Sequence, residues 1–302
     1  MTVLTLDDAA VAALPLPSAS EQQDKHDRGT AFVVAGGAAV PGAARLTGEA
    51  ALRVGAGRVT LAAPRSLGTA LGQALPEARI VLAASTPDGE LAGRAGRALA
   101  AFARDADALV IGPGLLAADD AVRLSLALME TQSEVGVVID AAALPDEGTA
   151  ERFSALARDR AILTPHAGEM ARMRGVKKTA VVADPVEHAR WAAARFRSVV
   201  VMKGATTHVA SPSGGLWRHA GGVAGLATSG SGDVLAGIIG GLLARGAPPT
   251  TAALWGVRLH AAAGEWLSQT IGPTGFLASD LLAVLPGVLC RLEAGSTGTA
   301  EA

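Results

Sequence analysis

Short apolar runs, broken by Gly, Pro, Asp and Thr, recur along the chain, with longer amphipathic stretches between them. The short runs are the mark of strands buried on both faces, and the spacing of three and four belongs to helices with one covered side. Strands are expected over residues 31–35, 58–62, 78–83, 108–111, 136–139, 161–163 and 198–202. A hairpin is expected from 207–211 and 216–219 around Ser213-Gly214-Gly215. Helices are expected from Pro41 to near Val54, over 91–103, from near Ala118, from Asp184-Pro185 to near Arg197, and over 233–245, 249–270 and 278–293. Pro41 stands in a first turn, where its missing N–H costs nothing. Residues 1–28 read as a lead-in with a short helix, 29–294 as one domain, and 295–302 as a small polar tail expected to be disordered. Strands alternating with helices imply an α/β fold with a mainly parallel central sheet and helices on both faces. Ligands of such sheets bind where strand C-terminal ends meet helix starts. Asp140, His166 and Asp233 fall at such junctions.

The most informative junction is Gly225-Leu226-Ala227-Thr228-Ser229-Gly230-Ser231-Gly232-Asp233, which runs straight into an apolar helix. Helix starts leave N–H groups unpaired and attract anions, and glycines let a phosphate approach the backbone. An acid there sits within reach of an acceptor hydroxyl, the layout of phosphoryl transfer to a small molecule. The plain reading is a flexible turn with Asp233 as a helix cap. The loop is no Walker A motif, because Ser231-Gly232 stands where Lys-Ser/Thr should follow. A rival motif, Gly112-Pro113-Gly114-Leu115-Leu116-Ala117 with Asp140 closing the next strand, fits a loose dinucleotide fingerprint and keeps a nicotinamide dehydrogenase open. Against it, Pro113 removes an N–H from the turn, and the motif lies deep inside the chain.

Composition narrows the field. In 302 residues, 50% of them apolar, no run reaches the roughly 18 apolar residues of a membrane span. No basic start with an apolar core marks a secretory signal, so a cytoplasmic chain is expected. One cysteine, Cys290, excludes an internal disulfide, and its apolar helix suggests a buried, inert thiol. A net charge of −2 and the absence of Tyr argue against a nucleic-acid surface. His26, His188, His208, His219 and His260 show no metal-ligand spacing, and no G-x-S-x-G elbow is present. The four tryptophans read as core or subunit packing.

Taken in order, several segments resemble those of the ADP/ATP-dependent NAD(P)H-hydrate dehydratase family, whose fold is ribokinase-like. They are Val40-Pro41-Gly42-Ala43-Ala44-Arg45-Leu46, Val110-Ile111-Gly112-Pro113-Gly114-Leu115 and Val138-Ile139-Asp140-Ala141. Ile162-Leu163-Thr164-Pro165-His166-Ala167-Gly168-Glu169-Met170, Val201-Met202-Lys203-Gly204-Ala205, the 225–239 run and Leu277-Ala278-Ser279-Asp280-Leu281 complete the set. The resemblance implies repair of NADHX or NADPHX, in which the nicotinamide ring has gained water. A nucleotide phosphorylates the hydrate hydroxyl and phosphate then leaves. Single-domain members of bacterial type use ADP and form AMP, and a separate NAD(P)HX epimerase is implied as a partner on the same metabolite.

Roles follow from the same resemblance. Asp233 is the expected base, with Gly230, Ser231 and Gly232 as the anion hole. Lys203, Gly204, Ala205, Thr206, Thr207 and Gly232 are expected at the nucleotide, and Ala43, Gly114, His166 and Asp233 at the substrate. Asp140 and Glu169 are candidate supports for Mg²⁺ or phosphate, with Glu169 alternatively orienting His166 or favouring a helix start. Mg²⁺ is expected to travel with the phosphates rather than in a protein-built cage. Each residue also has a plain reading: Lys203 a solvated strand end, His166 a structural histidine, Ala43 and Gly114 tight packing, Asp140 a turn cap. A homo-oligomer, in this family often a tetramer, is expected from the apolar helices at 249–270 and 278–293. The chain departs from the family pattern at His26, Gly222 and Ser229. The competing functions are a vitamin-precursor kinase of the same fold and a catalytically silent nucleotide-binding protein.

Overall fold

The computed structural model describes residues 2–17, 24–131 and 134–297. The chain enters through strand β1 (Leu4–Thr5) and helix α1 (Asp8–Ala12), the latter capped by the Asp7 carboxylate. Alternation then sets in with β2 (Thr30–Val34), α2 (Gly42–Arg53), β3 (Arg58–Pro64), α3 (Gly68–Ala74), β4 (Arg79–Ala83), α4 (Gly96–Arg104), β5 (Ala108–Ile111), α5 (Ala118–Met129), β6 (Gly136–Ile139), α6 (Ala150–Ala157) and β7 (Ala161–Leu163). Three short helices, α7 (Ala167–Arg174), α8 (Lys178–Ala183) and α9 (Pro185–Arg195), lead to β8 (Ser198–Met202). The hairpin β9 (Thr206–Ala210) and β10 (Leu216–Ala220) precedes three long helices, α10 (Ser231–Ala244), α11 (Pro249–Thr270) and α12 (Ala278–Thr297).

All ten strands join one sheet in the order β1-β10-β9-β8-β7-β6-β5-β2-β3-β4. Strands β2 to β8 run parallel, while β9 runs antiparallel to both β8 and β10. This is the expected α/β architecture, ribokinase-like, and its central strands are buried on both faces. Alternate residues feed two cores. Val33, Val110, Val138, Ile162 and Val199 face α2, α10, α11 and α12, whereas Phe32, Leu109, Ile139, Leu163 and Val200 face α4 to α9. Glycines let α10 sink against its neighbours. A Cβ on Gly237 would lie 2.3 Å from the Thr47 carbonyl of α2, and one on Gly240 would lie 2.1 Å from Val110 of β5. That approach places the first turn of α10 at the C-terminal ends of the central strands.

Some expectations shift. The helix expected over 91–103 begins only at Gly96, because Leu91 bridges back to Ser85 and a 3₁₀ turn follows at Gly93–Ala95. The helix start expected after His166 is α7; helices α3, α6 and α8 are too short to show a period and stand outside the expected set. The lead-in pairs β1 in parallel with β10, so this segment extends the sheet. The expected polar tail remains helical to Thr297, and residues 298–302 lie outside the described residues. Cys290 is exposed, not buried: α12 buries Leu285, Val288, Leu289 and Leu292, and Cys290 falls on the other face. Trp255 is buried as core, while Trp266 is exposed beneath the Arg291 guanidinium. No helix among the described residues is long and apolar enough to cross a membrane.

Candidate active site

The site is built on the start of α10. Its N-cap, Gly230, has φ 88°, and a Cβ there would lie 2.7 Å from Leu46 of α2, so only glycine fits both the turn and the space. No side chain caps this helix. The Ser231 N–H is engaged within the turn by the Thr228 carbonyl at 3.3 Å. The N–H groups of Gly232 and Asp233 have no acceptor among the described residues, which leaves two donors and the positive helix end for an anion. The Thr47 hydroxyl donates to the Asp233 carbonyl (3.1 Å), tying this turn to α2.

Three strand ends meet that turn. Asp140 follows β6 and is 3% exposed. Its Oδ1 accepts from the Thr164 hydroxyl after β7 (2.6 Å) and from Lys203 Nζ after β8 (2.9 Å). Lys203 also lies 3.8 Å from Glu169. Burial works against the lysine charge, but Asp140, Glu169 and Asp233 outweigh it and hold the Lys203 pKa above its ordinary value. Asp233 responds in the opposite sense. Burial first, then the Asp140 charge, push its carboxyl up to about 7, and Lys203 only partly offsets them. A carboxyl poised near neutrality is suited to taking a proton.

His166 is the N-cap of α7. Its Nδ1 accepts from the N–H groups of Gly168 (3.0 Å) and Glu169 (3.1 Å), while Glu169 Oε2 accepts from the His166 N–H (2.7 Å). With Nδ1 occupied as an acceptor, the neutral ring carries its proton on Nε2. The side chain is 59% exposed, so that donor stands at the site rim. Glu169 therefore favours the helix start and fixes the histidine together.

Beside the turn lies a cavity of about 610 Å³. Lys203, Gly204, Ala205, Thr207, Ser231 and Gly232 line its polar end, and Val223, Leu226, Leu235 and Val257 its apolar end. His166 borders it. Thr206, one position back on β9, is not among the lining residues. Gly222, one of the departures from the family pattern, lines it as well. Ala43 and Gly114 do not reach this cavity. They meet each other in the first turn of α2, where a Cβ on Gly114 would lie 2.4 Å from that of Ala43. Sequence reasoning passed over His219 and His260, which also line the cavity. His260 Nε2 lies 2.9 Å from Ser231 Oγ.

The donor set does not form a cage for a divalent ion. Among the described residues no three His, Cys, Asp or Glu side chains converge, and Lys203 neutralises Asp140 and Glu169. The residues fit an Mg²⁺ carried mainly by phosphate oxygens.

Comparison with known proteins follows the same lines. A family model described as NAD(P)H-hydrate dehydratase matches residues 31–287. An ADP-dependent (S)-NAD(P)H-hydrate dehydratase of Xanthomonas campestris pv. campestris is 45% identical over 97% of this chain and 98% of its own. A bifunctional NAD(P)H-hydrate repair enzyme of Moorella thermoacetica is 37% identical over 94% of this chain, which spans 54% of that protein. Among solved structures, the Bacillus subtilis ADP/ATP-dependent NAD(P)H-hydrate dehydratase co-crystallized with ATP/Mg²⁺ superposes with TM-score 0.80 at 31% identity, covering 97% of this chain and 100% of that one.

Proposed function

The chain belongs to the NAD(P)H-hydrate dehydratase family, and on that premise we propose that it restores hydrated nicotinamide cofactors, spending ADP and releasing AMP and phosphate. The observation that carries this reading is the convergence at one helix start of two N–H donors unpaired among the described residues, of Lys203, and of the near-neutral carboxyl of Asp233, which follows the cavity-lining Gly232 but is not itself among the lining residues.

Asp233 takes the proton of the hydrate hydroxyl. The oxygen attacks the terminal phosphorus of ADP, the bridging P–O bond breaks and AMP leaves. Hydroxide is a poor leaving group, and the phosphate ester made in its place is a good one. The ring nitrogen lone pair then expels phosphate, and loss of a ring proton restores the double bond. The N–H groups of Gly232 and Asp233 stabilise the transferring phosphoryl group, which needs charge stabilisation more than covalent help. Lys203, held by Asp140, supplies positive charge at the cavity floor. Gly204, Ala205 and Thr207 hold the nucleotide. His166 offers Nε2–H to the dinucleotide. Ala43 and Gly114 close the substrate side by packing tightly, which their size permits. Asp140 and Glu169 are the carboxylates that would support an Mg²⁺ carried by the nucleotide phosphates, and the ion would supply charge neutralisation there.

Residues 29–294 act as one domain in this reading, in the cytoplasm, and a separate epimerase supplies the correct hydrate epimer. Exposed Ile271 and Leu277 beside the start of α12 favour self-association of the chain. Incubation with NADPHX and ADP tests the proposal. Recovery of reduced-ring absorbance with one AMP per turnover is expected. A stable phosphorylated alcohol without that recovery would indicate a small-molecule kinase, and neither product would indicate a silent nucleotide-binding protein.

A further inference from the structure

Helix α11 brings one polar side chain to the start of α10. His260 lies midway along it, with Gly256 one turn before and Gly264 one turn after. A Cβ on Gly256 would lie 2.4 Å from Ile239 of α10, and one on Gly264 would lie 2.6 Å from Leu226 of the preceding turn. The two glycines therefore press this face of α11 against the body of α10 on one side of the histidine and against the loop before α10 on the other. At that closest approach His260 Nε2 lies 2.9 Å from the Ser231 hydroxyl. Ser231 is 4% exposed, and both residues line the cavity. Burial, with Lys203 and His219 adding to it, lowers the His260 pKa to about 4 despite the opposing interaction with the Ser231 backbone, so the ring is neutral in ordinary buffers. It is neither a base nor a charge for the phosphates.

Resting on the functional reading above, we propose that His260 is a positioning residue which donates its Nε2–H to Ser231 Oγ and so aims the Ser231 hydroxyl proton at the transferring phosphoryl group. The hydroxyl has one proton and two lone pairs. Were Nε2 the acceptor, that proton would point at the ring, and the lone pairs of Ser231 would face the phosphate oxygens and repel them. With Nε2 as the donor, the proton is left for the phosphate. The Ser231 N–H is already engaged by Thr228, so the side chain supplies from this residue the donor that the backbone withholds. Ser231 is thereby a catalytic residue through its hydroxyl, and no proton changes owner between the two side chains.

Four variants and one spectrum test this. Ser231→Ala and His260→Leu should each lower kcat by about 10- to 100-fold, with KM for ADP unchanged within about threefold. The double variant should be no slower than the slower single, because the two side chains act as one unit. His260→Gln, which keeps an N–H at similar reach, should recover most of the rate; a purely structural histidine would not be rescued so selectively. In ¹⁵N-histidine spectra of the wild-type ADP complex, His260 should be the Nε2–H tautomer. Losses that multiply, unchanged kcat in Ser231→Ala, or the Nδ1–H tautomer would each overturn the inference. Wild-type protein that binds no ADP, or restores no NADPH, would overturn the functional reading and this inference with it. An active wild type with independent losses overturns the inference alone.

Discussion

Asp233→Asn should make the protein more stable while removing its turnover. The wild-type carboxyl is held at about 7 instead of 3.8, chiefly by burial and by the Asp140 charge. Because the folded-state pKa is raised, the proton-linked stability is fully present below the unfolded value and is lost as pH rises through 7. The gap corresponds to ~4 kcal/mol of destabilisation once Asp233 is ionised, at about 1.4 kcal/mol per pH unit. Partial water contact of this side chain brings the expected value to about 2–4 kcal/mol. Asparagine does not titrate, so its advantage should be near zero below the ordinary carboxyl range, about half developed at pH ~5.5 and complete at pH ~8. Urea unfolding at the two pH values, with unchanged m, reads this directly as a shift in midpoint. In the same protein kcat should fall by about 10²- to 10⁴-fold, with ADP affinity nearly unchanged. The carboxylate would then be a group whose ionisation burdens the fold and serves the reaction. Equal midpoints at the higher pH, or an advantage independent of pH, would refute the reasoning, as would undiminished turnover.

Further outcomes follow from the same geometry. For the wild type, kcat/KM should rise with pH through a midpoint near 7, as Asp233 loses its proton. Asp140→Asn removes a like charge and should move that acid limb to lower pH, whereas Lys203→Met removes the opposing charge and should move it higher; limbs that do not move apart would contradict the assigned causes. Lys203→Met should also destabilise the fold by about 3–5 kcal/mol, since it leaves buried Asp140 without its cation, as denaturant titration would show. Gly237→Ala forces a methyl to within 2.3 Å of the Thr47 carbonyl and should cost about 1–3 kcal/mol, with a matching loss of kcat as the Asp233 turn shifts. Cys290 should react with a thiol reagent in the native state at the rate of an exposed cysteine, and protection until unfolding would contradict its placement on α12.

Much of the architecture is legible along the chain. Strands Ala108–Ile111, Gly136–Ile139, Ala161–Leu163 and Ser198–Met202 and helix Pro249–Thr270 end where the pattern predicts. A strand buried on both faces must be apolar throughout, and a long helix repeats its period often enough to declare itself. The glycine-rich approach to Asp233 is local chemistry and can be read as such. What the chain does not declare is company. Asp140 meets Lys203 across 63 positions because β6, β7 and β8 lie side by side, and Ser231 meets His260 across 29 because α11 folds back on α10. Ala43 and Gly114 pack against each other although 71 positions separate them, a contact that residue order does not announce. Only in the folded molecule does Cys290 turn outward, β1 find the open edge of β10, and the carboxyl of Asp233 rise to about 7. Hydrophobic patterning and turn chemistry act between near neighbours, so residue order alone determines which elements form and where an anion can be held. Burial and charge pairing depend on distances between elements remote in the chain, so packing alone decides what proton affinity those side chains have.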